Sequence, residues 1–265
     1  GIFSEKVATY ISLKEYVLFQ LTGQYRVDES MASSTGLFDI TAKKWSTEAL
    51  NFAHISSSQL SEVSSVMDNT LTLKPEIAKS WGVPIDTQII LGATDGCLAT
   101  LGAGIISEGK AVISIGASSA VRIAGKELLK DQKQRVFNYL LIDNCYISGG
   151  PGNNAGVVFE WFAKEFGDFS EHAYIEEVLD EIFQRIESIP LGADGLVFLP
   201  YLLGERAPIW NANARGSYFG LHINHTKSHL ARATLEGILF GVYSIGKMLA
   251  EFREIDEIRI NGSFA

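Results

Sequence analysis

Asp95 lies in Gly92-Ala93-Thr94-Asp95-Gly96, after an apolar run and at the opening of a helical pattern. A carboxylate in that place can accept a proton from a hydroxyl as the oxygen attacks phosphorus. Phosphoryl transfer asks mainly for positioning, charge stabilisation and one oriented base. Asp and Thr are also favoured helix N-caps, so Thr94 and Asp95 have a plain structural reading as well. Ser114-Ile115-Gly116-Ala117-Ser118-Ser119 has the look of a hairpin tip made of small residues. Backbone N–H groups there can approach phosphate oxygens with no Cβ in the way, although the same string also serves as an ordinary turn.

Two further stretches suit anions. In Gly149-Gly150-Pro151-Gly152-Asn153-Asn154-Ala155-Gly156, two Asn residues are placed to cap the helix that follows. Its N-terminus offers donors to an anion or a ribose, and an ordinary capped turn explains the string equally well. In Pro200–Trp210, the Arg206 guanidinium suits phosphate, against a Glu205–Arg206 ion pair that only stiffens the loop. Trp210 reads as core rather than as a stacking platform. The five histidines show no metal-ligand spacing, and no metal-ligating residue is assigned.

These residues need elements to hold them. Ser12-x-x-Glu15 is a capping box ahead of an apolar run that closes on Gly23, and Asp28 caps a second short helix. Trp45, Ala49 and Phe52 share one face of a third helix. Pro75 and Gly82-Val83-Pro84 punctuate the chain, and Gln88–Gly92 is a buried strand closing on glycine. Thr94–Ala103 is a helix, Lys110–Ile123 a hairpin bent at Gly116, and Phe137–Ile147 further strand. Asn153–Phe166 is an amphipathic helix with Val157, Val158, Trp161 and Phe162 on one side. Residues 175–186 form a helix with an acidic outer face, and Leu196–Pro200 a buried strand. Ser228–Phe252 is the longest helix, and its Gly237, Gly241 and Gly246 imply close packing. Residues 258–263 are a strand entering a turn. Strands alternating with helices give an α/β class.

The chain has 265 residues, 46% of them hydrophobic and 20% charged, enough to bury one or two cores. A net charge of −9 argues against nonspecific nucleic-acid binding, which needs clustered Lys and Arg. Two cysteines, Cys97 and Cys145, make a disulfide framework unexpected and fit a reducing compartment. No apolar run is long enough to span a bilayer, and the first residues lack a secretory pattern.

Gly216-Ser217-Tyr218-Phe219-Gly220-Leu221, followed by His229–Glu236, resembles a signature of the FGGY carbohydrate kinases of the actin-like ATPase superfamily. Gly204-Glu205-Arg206-Ala207-Pro208-Ile209-Trp210 through Gly216, with the Gly-Gly-Pro run before Asn153, is similar to the gluconate kinase branch. Xylulose kinases are close in the same stretches. The resemblance implies an actin-like (ribonuclease H-like) ATPase fold in two domains. Residues 1–105 match the latter part of the N-terminal, sugar-binding domain, and 106–265 the front of the C-terminal, nucleotide-binding domain. No Asp-x-Gly-Thr phosphate loop occurs, so the chain is expected to be part of a longer kinase and to show no turnover alone.

The implied activity is transfer of the γ-phosphate of ATP to a sugar-acid hydroxyl, gluconate first. A xylulose or other sugar kinase is the alternative, and a weak sugar or nucleotide sensor is the alternative of another class. Asp95 takes the place of the family's catalytic base, with Gly96 beside the substrate. Gly116, Ala117 and Ser118 fall on the hairpin that meets the phosphates, and Gly156 and Glu160 beside the nucleoside. Gly262 and Ser263 open a glycine motif at the base or its neighbouring phosphate. ATP and Mg²⁺ are the implied cofactors, with the Mg²⁺ ligands and most sugar contacts expected on the front segment. The expected partners are a small sugar or sugar acid and a second copy of the chain, without nucleic acid or membrane, in the cytoplasm. Two departures stand out. The glycine motif, usually Gly-Gly, here is Gly262-Ser263. The hairpin, commonly Gly-Thr-Ser-Gly, is Gly116-Ala117-Ser118-Ser119, which removes a hydroxyl from the terminal phosphate. Such a contact is worth on the order of 10²-fold in rate.

Overall fold

A computed structural model describes residues 7–167 and 175–264. The chain divides into two units. One takes the residues up to 107 together with 124–128 and 138–147, and the other takes the remainder.

The first unit starts with α1 (Leu13–Thr22), closed at its front by the Ser12–Glu15 capping box and at its rear by Gly23 in the left-handed region. β1 (Arg26–Asp28) runs into α2 (Glu29–Ser33), and the Asp28 side chain caps α2 as expected. β2 (Phe38–Asp39) and β3 (Lys44–Trp45) pair antiparallel, and α3 (Thr47–Ala53) follows. Trp45 is therefore a strand residue, not a helical one. Its indole donates to Ser61 O at 3.1 Å, and its ring meets Phe38 edge-on. Phe52 is 89% exposed, so the expected helix face of Trp45, Ala49 and Phe52 does not exist, and α3 anchors through Leu50. Helical spacing was misleading because Ser46, the true N-cap, separates Trp45 from the helix.

β4 (Glu62–Ser64) lies parallel to β1. β5 (Leu71–Thr72) and β6 (Gln88–Ile89) flank α4 (Pro75–Trp81), with Pro75 in its first turn and Gly82 as its left-handed cap. The stretch Gln88–Gly92 is not a buried strand. Only two of its residues pair, with β5, and Ile90 points to solvent while Leu91 is buried. α5 (Asp95–Gly102) comes next, with Thr94 and Ala103 as its caps, matching the expected span.

Four strands follow α5: β7 (Gly109–Ile115), β8 (Ser119–Gly125), β9 (Phe137–Ile142) and β10 (Cys145–Gly152). After these come α6 (Gly156–Phe166), α7 (Ile175–Ile186), β11 (Val197–Leu199), β12 (Ser217–Phe219), α8 (Lys227–Ala250) and β13 (Ile255–Asn261). The main sheet has the order β13-β7-β8-β10-β9, with β7 and β8 antiparallel and β13 parallel to β7. Its hairpin turns at Gly116, as the sequence indicates.

The glycine run Gly149–Gly152 is strand, not turn. A Cβ on Gly149 would lie 2.4 Å from Val121 O, and one on Gly150 would lie 2.6 Å from Ile245 Cγ2. The run is bare because β8 and α8 pass too close for side chains. One core gathers Phe159 and Phe162 of α6, Val178 and Ile182 of α7, Phe198 and Ile238. The buried side of α6 thus includes Phe159, while Val157 and Trp161 only border it. Each such aromatic contributes about 1.5–3 kcal/mol when fully buried. The exposed Val197 and Leu199 flank a buried Phe198, so β11 is half-buried rather than sealed. It pairs with β12 and lies against α8, where a Cβ on Gly237 would be 2.3 Å from Phe198 O. Close packing thus explains Gly237. It does not explain Gly246, which has open space around it.

Candidate functional site

In the second unit, the hairpin tip, the start of α6 and the end of β13 converge. Gly116 N donates to Ser118 O at 2.9 Å, closing the tip. Gly116 O and Ala117 O accept from Gly156 N and Val157 N at 2.9 and 3.1 Å. The first turn of α6 therefore spends two donors on the hairpin and a third, Val158 N, on Ala155 O, and it is not the open anion site that its sequence suggests. The amides that remain open are those of the tip itself. Ala117 N and Ser118 N have no partner among the described residues, and both residues are exposed. Two adjacent N–H groups on a small-residue turn fit a phosphate group.

The other residues assigned to the nucleotide lie around this tip. Gly262 has φ of +118°, and a Cβ there would fall 2.0 Å from Ile115 O. Ser263 Oγ is 3.9 Å from the place of a Gly116 Cβ. A Cβ on Gly156 would be 2.4 Å from the Phe264 ring and 2.7 Å from Gly116 O, so only glycine allows this junction. Glu160 lies one turn along α6 from Gly156, half-buried.

Asn153 and Asn154 do not cap α6; Ala155 holds the cap position and makes no side-chain bond. Both reach the 203–206 loop instead. Asn154 Nδ2 donates to Gly204 O at 2.6 Å and to Glu205 Oε2 at 2.9 Å, and its Oδ1 accepts from Leu203 N. Glu205 Oε1 accepts from Asn153 N and from Arg206 N. The Arg206 guanidinium donates to Asn153 Oδ1 at 2.6 Å and to Gly152 O. Arg206 therefore neither waits for phosphate nor pairs with the Glu205 carboxylate through its guanidinium. It stiffens the loop through asparagine. Trp210 is half-exposed rather than core, and its indole donates to Arg135 O at 3.1 Å.

In the first unit Asp95 is exposed at the first position of α5, while Gly96, behind it, is buried. Thr94 carries the capping duty, accepting Cys97 N on its hydroxyl at 3.3 Å. Asp95 Oδ1 accepts Gly96 N at 2.6 Å, and its other oxygen has no partner among the described residues. A carboxylate fixed by one oxygen and open at the other can take a proton from a neighbouring hydroxyl.

The Gly216–Leu221 signature does local packing work in the second unit. Tyr218 packs on Phe198 at 4.4 Å, and its hydroxyl meets Thr234 Oγ1 on α8 at 2.5 Å. Burial pushes its phenol up to about 12 against the lowering effect of that hydrogen bond. Gly220, at φ +87°, lets the chain pass Gly195 O. Three histidines that looked scattered also meet: the His222 and His225 rings are 3.7 Å apart, and His225 and His229 5.3 Å. Each Nδ1 accepts a backbone N–H, from Asn224, His222 and Thr226, so they tie the turn ahead of α8. Among the described residues no group of three or more His, Cys, Asp or Glu could hold a metal ion, and no helix is long and apolar enough to cross a membrane.

Residues 3–102 match the model of the FGGY carbohydrate kinase N-terminal domain, and residues 111–265 that of the C-terminal domain. The chain belongs to the FGGY family of carbohydrate kinases. It is 37% identical to the gluconokinase of Bacillus subtilis over 99% of its own length and 52% of that protein. It is 34% identical to the xylulose kinase of the same organism, over 94% of this chain and 48% of that one. The gluconate kinase structure from Lactobacillus acidophilus superposes with a TM-score of 0.89 at 35% identity, covering 97% of this chain and 51% of that one. The fold is the actin-like ATPase fold of these sugar kinases. The chain spans about half the length of the curated relatives it matches.

Proposed function

We propose that the protein works as an ATP-dependent sugar-acid kinase, with gluconate as the acceptor. The observation that carries this reading is the Asp95 carboxylate, open on one oxygen and set on a buried frame. The gluconokinase likeness over nearly the whole chain supports the substrate. When bound, ATP with Mg²⁺ supplies the phosphoryl group. Asp95 orients the attacking hydroxyl and takes its proton, with Gly96 leaving room beside it. The amides of Ala117 and Ser118, at the Gly116 turn, hold phosphate oxygens. Gly156, Glu160, Gly262 and Ser263 border the nucleoside. Residues 1–105 serve the sugar and 106–265 the nucleotide. The cytoplasm, where ATP is abundant, suits the two buried free thiols Cys97 and Cys145.

The likeness to xylulose kinase favours a second acceptor class. ADP release by the natural-length protein, measured with gluconate, xylulose, ribulose and glycerol, separates the two. Gluconate should give the highest kcat/KM. A higher value with xylulose transfers the assignment, and binding of ATP and sugar with no turnover on any acceptor makes the protein a sensor.

A further inference from the structure

Behind Asp95 lies an ion pair, buried at its carboxylate and partly exposed at its lysine, that the proposed mechanism does not use. Asp28 is 0% exposed, and one of its oxygens takes the Lys14 ammonium at 2.5 Å. The other accepts Met31 N at 2.9 Å and the Ser30 hydroxyl. With its proton committed to Asp28, Ser30 turns its oxygen outward and accepts Thr94 N–H at 2.8 Å. Lys14 Nζ also reaches Ala93 O at 3.5 Å. Ala93 C=O and Thr94 N–H are the two ends of one peptide group. That single plane, immediately ahead of Thr94-Asp95, is thus gripped at its carbonyl by Lys14 and at its amide by Ser30.

We propose that Lys14, Asp28 and Ser30 form a clamp on the Ala93–Thr94 peptide that sets the direction of the Asp95 carboxylate, with Asp28 as its positioning residue. The inference rests on the assignment of Asp95 as the base. Asp28 caps only a five-residue helix, a duty that a neutral Ser or Asn performs as well. Burying a charge with a lysine is costly and is often matched in stability by apolar packing, so the pair needs another reason. Orientation is that reason: a catalytic group displaced by about 1 Å loses roughly 10²-fold in rate, and a residue that opens a helix holds its aim only when the loop feeding it is fixed by a supporting shell. The clamp also makes the Ser30 proton directional. A charged Asp28 forces the hydroxyl to donate inward, which leaves a lone pair, not a hydrogen, facing Thr94.

Ser30→Ala removes the link and leaves the Lys14–Asp28 pair intact, so it is the decisive variant. In the natural-length protein acting on its best acceptor, kcat should fall about tenfold to 10²-fold, with both KM values within about twofold and melting nearly unchanged. Ser30→Thr, which keeps the hydroxyl, should recover most of the rate. In the 265-residue chain itself, amide exchange at Thr94 should quicken in Ser30→Ala. A folded Ser30→Ala protein with the wild-type kcat, or a loss accounted for by its unfolded fraction, overturns the clamp. Asp95→Asn run in parallel keeps the two ideas apart. If Asp95→Asn turns over normally the base assignment fails, whereas an inert Asp95→Asn beside an unaffected Ser30→Ala defeats the clamp alone.

Discussion

A carboxylate at the start of a helix is ordinarily occupied with capping, yet at α5 Thr94 takes that duty one residue earlier and leaves Asp95 an open oxygen. Asp95→Asn keeps the shape and removes the carboxylate proposed as the base. It should lower kcat about 10²- to 10⁴-fold with little change in KM, as measured by ADP release in the natural-length protein. Ala117 presents a free amide but no hydroxyl, at an exposed position with room for one. Ala117→Thr should therefore raise kcat, by up to about 10²-fold, without moving the acceptor KM. Gly156→Ala tests the junction in the opposite sense. Its methyl would meet the Phe264 ring and Gly116 O inside 3 Å. The variant should lose about 1–3 kcal/mol in urea denaturation, and nucleotide affinity should fall with it.

Among the elements, legibility followed locality. The caps at Ser12, Asp28 and Gly23, the hairpin at Gly116 and the span of α5 are decided by residues within a turn of one another, and all appear as expected. The errors came where a distant partner decides. Asn153 and Asn154 look like caps until the 203–206 loop arrives and takes their side chains. The Gly149–Gly152 run looks like a turn until β8 and α8 press on it from both faces. Of the candidate site, what was legible is local: an exposed Asp95 opening α5 and a small-residue hairpin tip at Gly116. The Lys14–Asp28–Ser30 support was not, because its three members answer to a peptide more than sixty residues away. Asn154 offers a direct check on the loop. Asn154→Ala would strip partners from Gly204 O, the buried Glu205 and Leu203 N together, and should cost about 1–3 kcal/mol of stability by urea denaturation.

At the level of the whole chain, alkaline pH should find a weak point. Tyr218 has an ordinary phenol value of 10 and is pushed up to about 12 in the fold, so the folded state holds its proton more tightly than the unfolded one. Stability from this group is complete below pH 10 and drains away as pH climbs toward 12, on the order of 2–3 kcal/mol. Tyr201 moves the same way, through burial first and the Glu205 charge second. Urea midpoints between pH 9 and about 12 should fall steeply for the wild type and less steeply for Tyr218→Phe. The outermost strand, β13, pairs with β7 alone among the described residues. Ile258 and Ile260, 57% and 60% exposed, border a groove of about 400 Å³ beside α8. Bare strand margins of that kind template contact between molecules. Concentrating this polypeptide should therefore drive it into larger particles visible by light scattering, and a single lysine in place of Ile260 should keep it dispersed.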